Sequence, residues 1–201
     1  PVAVADPRAS GIRASCDGCR RPLRACWCGC VQHVDNRTPV LILQHPSERD
    51  HPKGTAALLR RCLARCSLLT GERHAPPPPG GRLALLYPHT PSAARLEPGA
   101  PVDALIVLDG TWRHSRKLMH LNPWLGALPR LSLDLKGHTA RYRSRRAHAA
   151  HQLSTLEAGM LALEQLESDP ERYAPLHQVL EDFMRTHQKA GWPEPAMLPS
   201  D

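Results

Sequence analysis

Short apolar runs recur along the chain and are separated by longer segments with helical spacing. Three of them, over residues 39–43, 83–87 and 104–108, are continuous. Continuous runs of this length are typical of strands that are covered on both faces of a sheet. A fourth short strand is predicted over 131–135. Strands that alternate with helices predict an α/β domain with a mostly parallel sheet.

The helical segments have recognisable starts and buried faces. Ser154 and Glu157 have the spacing of a capping box. Cys62 and Cys66 are four residues apart, which would place both on the apolar face of one helix as small hydrophobes. Helices are predicted over about 54–69, 112–121, 154–167 and 173–189.

Composition and charge narrow the classes of function. Lys and Arg number 26 against 19 Asp and Glu, so the net charge of +7 favours an anionic partner such as nucleic acid. The aromatic content of 4% is low for a platform that stacks many bases of a single strand. No apolar run approaches the roughly 20 residues that cross a bilayer, and the opening residues lack a secretory leader pattern. We therefore expect a cytoplasmic protein that does not enter a membrane.

Five of the seven cysteines are crowded between Cys16 and Cys30. An odd number at this density fits secreted disulfides poorly. The C-x2-C and C-x-C pairs predict a tetrahedral zinc site, with reduced and unliganded thiols as the alternative. Cys30 could replace the fourth ligand by a small shift in register. The predicted ligands are Cys16, Cys19, Cys26 and Cys28.

Polar residues that could take part in catalysis or ligand binding follow two of the predicted strands. The segment 44–55 contains acids and imidazoles before a helix start with Gly54 and Thr55, which favours either an anion cradle or an ordinary polar loop. Asp109 follows the third strand and could act as a general base, hold a ligand amine, or only cap the turn. For Trp112 we expect packing rather than stacking on a base.

A basic segment lies between the fourth strand and the third helix. Four arginines fall within residues 141–146, with Tyr142 among them, which favours binding of nucleic-acid phosphates over a merely solvated face. A second basic cluster over 113–117 follows the third strand.

Several motifs together carry a family resemblance over roughly residues 14–168. The chain contains the two cysteine pairs, Gln44-His-Pro-x-Glu48-x2-His51-Pro-x-Gly-Thr55, Leu86-Tyr-Pro88, Leu108-Asp-Gly-Thr-Trp112, Asn122-Pro123, Leu128-Pro-Arg130, Tyr142-x-Ser-Arg145 and Ser154-Thr-Leu-Glu-Ala158, in that order. In this order they resemble the DTW-domain family. Ser144, where an apolar residue is expected, and the absence of a serine before Arg141 depart from the pattern.

The resemblance implies a tRNA-uridine aminocarboxypropyltransferase. Such an enzyme transfers the 3-amino-3-carboxypropyl group of S-adenosylmethionine to N3 of a tRNA uridine and releases 5′-methylthioadenosine. It also implies a SPOUT-like fold with a C-terminal trefoil knot, in a monomer or a homodimer. The domain organisation is then a flexible tail (1–15), a zinc knuckle with four cysteine ligands (16–36), a DTW/SPOUT-like catalytic domain (37–190) and a mobile tail (191–201).

The same resemblance assigns roles to individual residues. Asp109 is the candidate general base, because uridine N3 must lose a proton before it attacks. S-adenosylmethionine is assigned to Leu86, Tyr87, Pro88, Leu108, Gly110, Thr111, Leu131, Leu133, Ser154 and Thr155. The tRNA is assigned to Gln44, His45, Glu48, His51, Trp112, Arg113, Arg141, Tyr142, Arg143 and Arg145.

Two other functions stay open on the sequence. A SPOUT-type RNA methyltransferase would keep the cofactor and the fold but transfer the methyl group. A zinc-knuckle RNA-binding protein would have no catalytic activity.

Overall fold

The core of the protein is a parallel sheet that the apolar runs predict. The computed structural model describes residues 14–51, 54–133 and 153–189. Within them the strands pair in parallel in the order β2-β1-β4-β3-β5. Their bounds are β1 Val40–Gln44, β2 Cys66–Thr70, β3 Leu83–Leu86, β4 Ala104–Asp109 and β5 Arg130–Leu131. The predicted mixed α/β architecture is therefore confirmed.

Helices cover both faces of this sheet. Ile42 and Leu105 belong to a core cluster with residues of the helices over 56–62, 155–167 and 170–189. Leu43 and Ile106 face a second cluster that includes the 123–127 turn. Because neighbouring residues of a strand point to opposite faces, both faces of β1 and β4 need apolar side chains. The helices are α1 Ala56–Cys62, α2 Trp112–Leu121, α3 Thr155–Glu167 and α4 Pro170–Lys189.

The predicted helix over 54–69 is wrong in its second half. Helix α1 ends at Cys62, Leu63 has an extended backbone, and Cys66 opens the edge strand β2. Along β2 half-buried and exposed residues alternate, as expected where one face packs and the other meets water. Pairing with β1 supplies the backbone partners that a longer helix would otherwise provide. Cys62 and Cys66 thus lie on different elements, although both contact the same core cluster.

The other predicted elements fall close to their expected places. The capping box at Ser154 is formed in both directions with Glu157, and it fixes the first turn of α3. Of the predicted fourth strand over 131–135, the structure has β5 at 130–131, and residues 132–133 are not in a strand. Residues 134–135 lie outside the described residues, as do the two predicted tails except for residues 14–15. The connection over 134–152 also lies outside them, so the knot and the SPOUT-like assignment stay predictions. Within the described ranges, no helix combines the length and the apolar character that crossing a bilayer requires.

Candidate functional site

The carboxyl ends of three strands bring polar side chains together at one edge of the sheet. In the strand register Gln44 lies beside both Asp109 and Thr70. Side chains at aligned positions of neighbouring strands share a face, so they can bond directly. The Gln44 amide donates from Nε2 to Oδ2 of Asp109 at 2.8 Å and accepts from the Thr70 hydroxyl at 3.1 Å. Both ends of the amide are therefore used to orient the carboxylate.

The start of helix α3 holds the other oxygen of this carboxylate. The hydroxyl of Thr155 donates to Oδ1 of Asp109. The Leu156 backbone N–H donates to the hydroxyl of Thr55 at 3.0 Å, which ties α3 to the start of α1. The carboxylate thus lies at the N-terminus of α3, where the helix dipole favours a negative charge.

Burial changes the acidity of Asp109. Only 5% of the residue is exposed, and this desolvation raises the pKa of Asp109 above its ordinary value. The hydrogen bonds from Thr155 and Gln44 act in the opposite direction and are the smaller effect. A buried carboxylate with a raised pKa is a stronger base than an exposed one once it is ionised.

Helix α2 begins just after this carboxylate. Its N-cap is Thr111, whose hydroxyl accepts a hydrogen bond from the His114 N–H at 3.3 Å.

Two histidines stack at the carboxyl end of β4, where the His45 backbone N–H donates to the Asp109 carbonyl at 3.0 Å. The His45 and His114 rings are parallel, with 4.1 Å between their centroids. The Ser47 N–H donates to Nδ1 of His45 at 3.3 Å, and Nδ1 of His114 lies 3.1 Å from Oε1 of Glu48. Burial, and then the neighbouring His114, lower the pKa of His45, which favours its neutral form. Nε2 of His45 lies 3.3 Å from Oε1 of Glu72 without hydrogen-bond alignment, and that oxygen accepts from Lys117 at 2.7 Å.

Gly110 makes this stacking possible, and its replacement tests the close approach. A Cβ at this position would lie 2.8 Å from Cβ of His114, an atom fixed by the backbone of α2. We expect Gly110→Ala to cost about 1–3 kcal/mol of stability, or roughly 2–4 °C in melting temperature per kcal/mol. In the matched control Gly126→Ala the new methyl meets no atom within 4 Å. Equal melting temperatures for the two variants would contradict the close contact.

An aromatic pair occupies the β3 side of the same edge. Trp112 is 48% exposed and meets Tyr87 edge-on, with 6.0 Å between the ring centroids. The expectation that Trp112 is a packing residue is therefore wrong, because its ring faces solvent. Arg130 is 9% exposed, lies over the Tyr87 ring at 5.2 Å, and donates to the Pro88 carbonyl at 3.0 Å.

The structure collects most of the sequence-predicted residues at this edge. Leu86 pairs with Leu131 across β3 and β5, and Ser132 donates to the Tyr87 carbonyl at 3.4 Å. Arg113 is exposed on α2, and His51 is exposed in the loop after β1. The predicted RNA-binding residues Arg141, Tyr142, Arg143 and Arg145 lie outside the described residues.

Several residues of this edge have no role that the sequence indicates. His114 belongs only to a basic cluster in the sequence, and no motif gives a role to Ser47, Glu72, Thr70 or Arg130. The stacked pair joins positions 69 residues apart, 114 minus 45, so no local spacing reveals it. Arg130 offered one usable signal, since an arginine at the start of an apolar strand has to find polar partners once it is buried.

The four predicted cysteine ligands converge near the N-terminus. One sulfur atom from each of Cys16, Cys19, Cys26 and Cys28 lies within 4.8 Å of all the others. The Cys16–Cys28 and Cys19–Cys26 sulfurs are both 3.8 Å apart. The backbone N–H of Cys19, followed by the thiol of Cys26, lowers the pKa of Cys16 to about 6. The donor set and its spacing suit a tetrahedral metal ion.

Neighbouring groups anchor this cysteine cluster to the rest of the molecule. Nη1 of Arg61, on α1, donates to the Cys28 sulfur at 3.4 Å, and its guanidinium lies 5.5 Å from the centre of the Trp27 ring. Trp27 is 2% exposed and belongs to the main core cluster. Cys30 is buried, with its sulfur 3.8 Å from the Thr186 hydroxyl, so Cys28 and not Cys30 completes the group of four.

Comparisons with known proteins give a consistent result. A family model described as "DTW domain" matches residues 13–189. The tRNA-uridine aminocarboxypropyltransferase 2 of Drosophila melanogaster is 30% identical over 174 residues, which cover 79% of this chain and 69% of that protein. The protein of the same name from Mus musculus is 31% identical, over 78% of this chain and 58% of its own length.

A plant relative and the solved structures complete the comparison. The tRNA-uridine aminocarboxypropyltransferase A of Arabidopsis thaliana is 28% identical, over 53% of this chain and 50% of its own length. The chain thus spans between half and about two thirds of these curated relatives. No solved structure matches it significantly.

Proposed function

This chain belongs to the DTW-domain family, and from that premise we propose that it transfers the 3-amino-3-carboxypropyl group of S-adenosylmethionine to N3 of a uridine in tRNA. The names of the related proteins support the reaction class and the substrate. The observation that carries the proposal in this chain is the buried carboxylate of Asp109, held by Gln44 and Thr155 at the carboxyl edge of the sheet. Ligands of open α/β sheets bind at that edge.

The chemistry needs one base and no covalent intermediate with the protein. The N3–H proton of uridine passes to the Asp109 carboxylate, and N3 forms a bond to the γ-carbon of the aminocarboxypropyl group. The bond between that carbon and sulfur breaks, and its electron pair stays on sulfur, which leaves as the neutral thioether 5′-methylthioadenosine. Charge is balanced, because a sulfonium and a carboxylate become a thioether and a carboxylic acid.

The surroundings of Asp109 suit this role. Gln44 donates a hydrogen bond to one carboxylate oxygen of Asp109, and Thr155 donates a hydrogen bond to the other. Each oxygen has two lone pairs, so the carboxylate can still accept a hydrogen bond from the uridine N–H. The raised pKa makes Asp109 a more effective base. Selection of the aminocarboxypropyl group over the methyl group is then a matter of how the donor is oriented towards N3.

The two substrates are assigned to neighbouring parts of the edge. The donor, S-adenosylmethionine, is placed among residues 86–88, 108–111, 131–133 and 154–155. Strands β3, β4 and β5 end at this edge of the sheet, and helix α3 begins there. The uridine is placed on the side of residues 44–51. The exposed ring of Trp112, which lies next to Tyr87 on the β3 side, is available for stacking on a base. The basic stretch 141–146 and Arg113 are proposed to contact tRNA phosphates.

We further propose that the cysteine cluster binds one structural zinc ion. Four sulfurs around zinc at about 2.3 Å lie roughly 3.8 Å apart in a tetrahedron, and two sulfur pairs have that separation. The guanidinium of Arg61 offsets part of the negative charge of four thiolates. None of the seven cysteines, all of which lie within the described residues, forms a disulfide, and this supports a cytoplasmic location. The protein is proposed to act as a monomer or a homodimer.

Product analysis tests the proposed reaction. Unmodified tRNA incubated with S-adenosylmethionine and this protein should gain one aminocarboxypropyl group on a uridine, with one 5′-methylthioadenosine released per modification. Mass spectrometry of the nucleosides and chromatography of the adenosine product measure both. S-adenosylhomocysteine with a methylated base would identify a methyltransferase instead. Binding of tRNA without a mass gain on any uridine would indicate a non-catalytic RNA-binding protein.

A further inference from the structure

Arg21 connects the cysteine cluster to the loop that follows β1. It lies between the two cysteine pairs, and its carbonyl oxygen accepts from the Cys16 backbone N–H at 2.7 Å. Its Nη2 atom donates to the His51 carbonyl at 3.1 Å and to the Gly54 carbonyl at 3.0 Å. A guanidinium that bonds two carbonyls from a half-buried position is a firm link between two segments.

The loop bonded by Arg21 leads to the carboxylate through further hydrogen bonds. The Gly54 N–H donates to His51 O at 2.9 Å, and the His51 N–H donates to Glu48 O at 3.1 Å. Thr55, next to Gly54, accepts from the first turn of α3. That same turn carries the Thr155 hydroxyl that bonds Asp109. The path from the cysteine cluster to the candidate base is thus a series of direct bonds.

We propose that Arg21 is a positioning residue through which the metal-bound cysteine cluster sets the conformation of the loop that binds the target uridine. The metal fixes the turn that carries the Arg21 backbone, and the Arg21 side chain then fixes the carbonyls of His51 and Gly54. The cluster would thereby control substrate binding as well as stability. This inference rests on the proposed function, which places the uridine against residues 44–51.

Hydrogen exchange of the zinc-loaded protein tests the link directly. In Arg21→Ala the amides of residues 45–51 should exchange about tenfold faster than in the unmodified chain. A tenfold change corresponds to the loss of roughly one charge-assisted hydrogen bond. Metal content should stay the same, since no side-chain atom of Arg21 ligates the metal. The matched control is Arg24→Ala, an exposed arginine of the same knuckle, which should leave the exchange unchanged. Arg21→Lys should restore part of the protection, because an ammonium still donates to carbonyls.

A cycle with metal removal separates positioning from general stabilisation. Chelation should speed exchange at 45–51 more in the unmodified chain than in Arg21→Ala, because the general loss of stability acts on both proteins whereas the link through Arg21 is already broken in the variant. Equal chelation effects in both proteins would overturn the proposal. So would loss of metal in Arg21→Ala, or exchange at 45–51 that matches the Arg24→Ala control.

The kinetic consequence distinguishes this inference from the proposed function. With tRNA as substrate, Arg21→Ala should raise KM for tRNA about tenfold and change kcat much less, while the Kd for S-adenosylmethionine stays the same. An unchanged KM for tRNA would overturn the role in substrate binding. If the exchange results hold but no uridine is modified, the proposed reaction fails and the link through Arg21 stands.

Discussion

Replacing Asp109 with asparagine is expected to lower kcat by about 100-fold or more, because the variant has no carboxylate to accept the N3 proton. General base catalysis typically contributes 10²–10⁴-fold, and a buried base with a raised pKa belongs in that range. Binding of S-adenosylmethionine should change little. Single-turnover rates of uridine modification, with a separate titration of the donor, measure the two effects.

The asparagine variant should fold, because its neighbours can adapt to an amide. If the Gln44 amide rotates, its oxygen accepts from the new NH2 group and its nitrogen faces Thr70. The Thr70 hydroxyl can accept as well as donate, so each of the two amide nitrogens still has one hydrogen-bond partner. Asp103→Asn is a matched control at the opposite end of the same strand, where the exposed carboxylate pairs with Arg82. This control should keep full activity, and full activity in Asp109→Asn as well would contradict the role of the base.

The dependence on pH gives an independent check with a definite sign. Burial raises the pKa of Asp109, so kcat/KM should fall with decreasing pH through a value above the ordinary aspartate range of about 4. For stability the raised pKa means that the folded state holds the proton more tightly than the unfolded state. That stabilising contribution is complete below the ordinary pKa and is lost as pH rises through the raised pKa. The unmodified protein should therefore lose stability relative to Asp109→Asn as the pH rises across this window.

The fold could be predicted where burial determined the residue pattern. Strands β1 and β4 lie between two layers of helices, so their continuous apolar runs were clear signals. Strand β2 lies at the edge of the sheet with one face exposed, and its sequence Cys66-Ser-Leu-Leu-Thr70 continues the apolar spacing of α1. Nothing in that local pattern separates an edge strand from another helical turn. Its pairing with β1 is a tertiary interaction that overrides the local preference.

Individual residues of the candidate site could be predicted from the sequence, but the hydrogen bonds that connect them could not. Asp109 could be predicted as a candidate because a carboxylate that follows a buried strand and precedes Gly110 and a helix start can act as a base, and the family resemblance assigns it that role. Its partners Gln44 and Thr155 come from a neighbouring strand and a distant helix, and only the sheet register brings them together. The cysteine cluster was easier to predict, since the two short pairs span only 13 residues, Cys16 to Cys28, and two tight turns are enough to bring their sulfurs together.

Replacing both Cys16 and Cys19 with serine is expected to remove one zinc ion per chain and to destabilise far more than the knuckle itself. Two ligands cannot hold a structural zinc that four hold, and binding energy at such a site is folding energy. Trp27, which lies between Cys26 and Cys28, is buried in the core cluster that also contains Tyr173 and Phe183 of α4. Loss of the metal should therefore expose Trp27 and loosen the packing of α4. Metal quantification, tryptophan fluorescence and thermal unfolding measure these three effects.

Two single serine variants make this expectation specific to the four sulfurs. Cys66→Ser replaces a half-buried thiol of β2 and should keep the metal, because Cys66 is not a member of the group of four. Cys30→Ser should keep it as well, since the Cys30 sulfur lies against Thr186 and not among the other sulfurs. Loss of zinc in Cys30→Ser with retention in Cys28→Ser would reverse the assignment of the fourth ligand. If chelation removes the metal and the melting temperature does not change, the metal has no structural role. The cluster would then hold its shape through thiol contacts and the bonds from Arg21 and Arg61 alone.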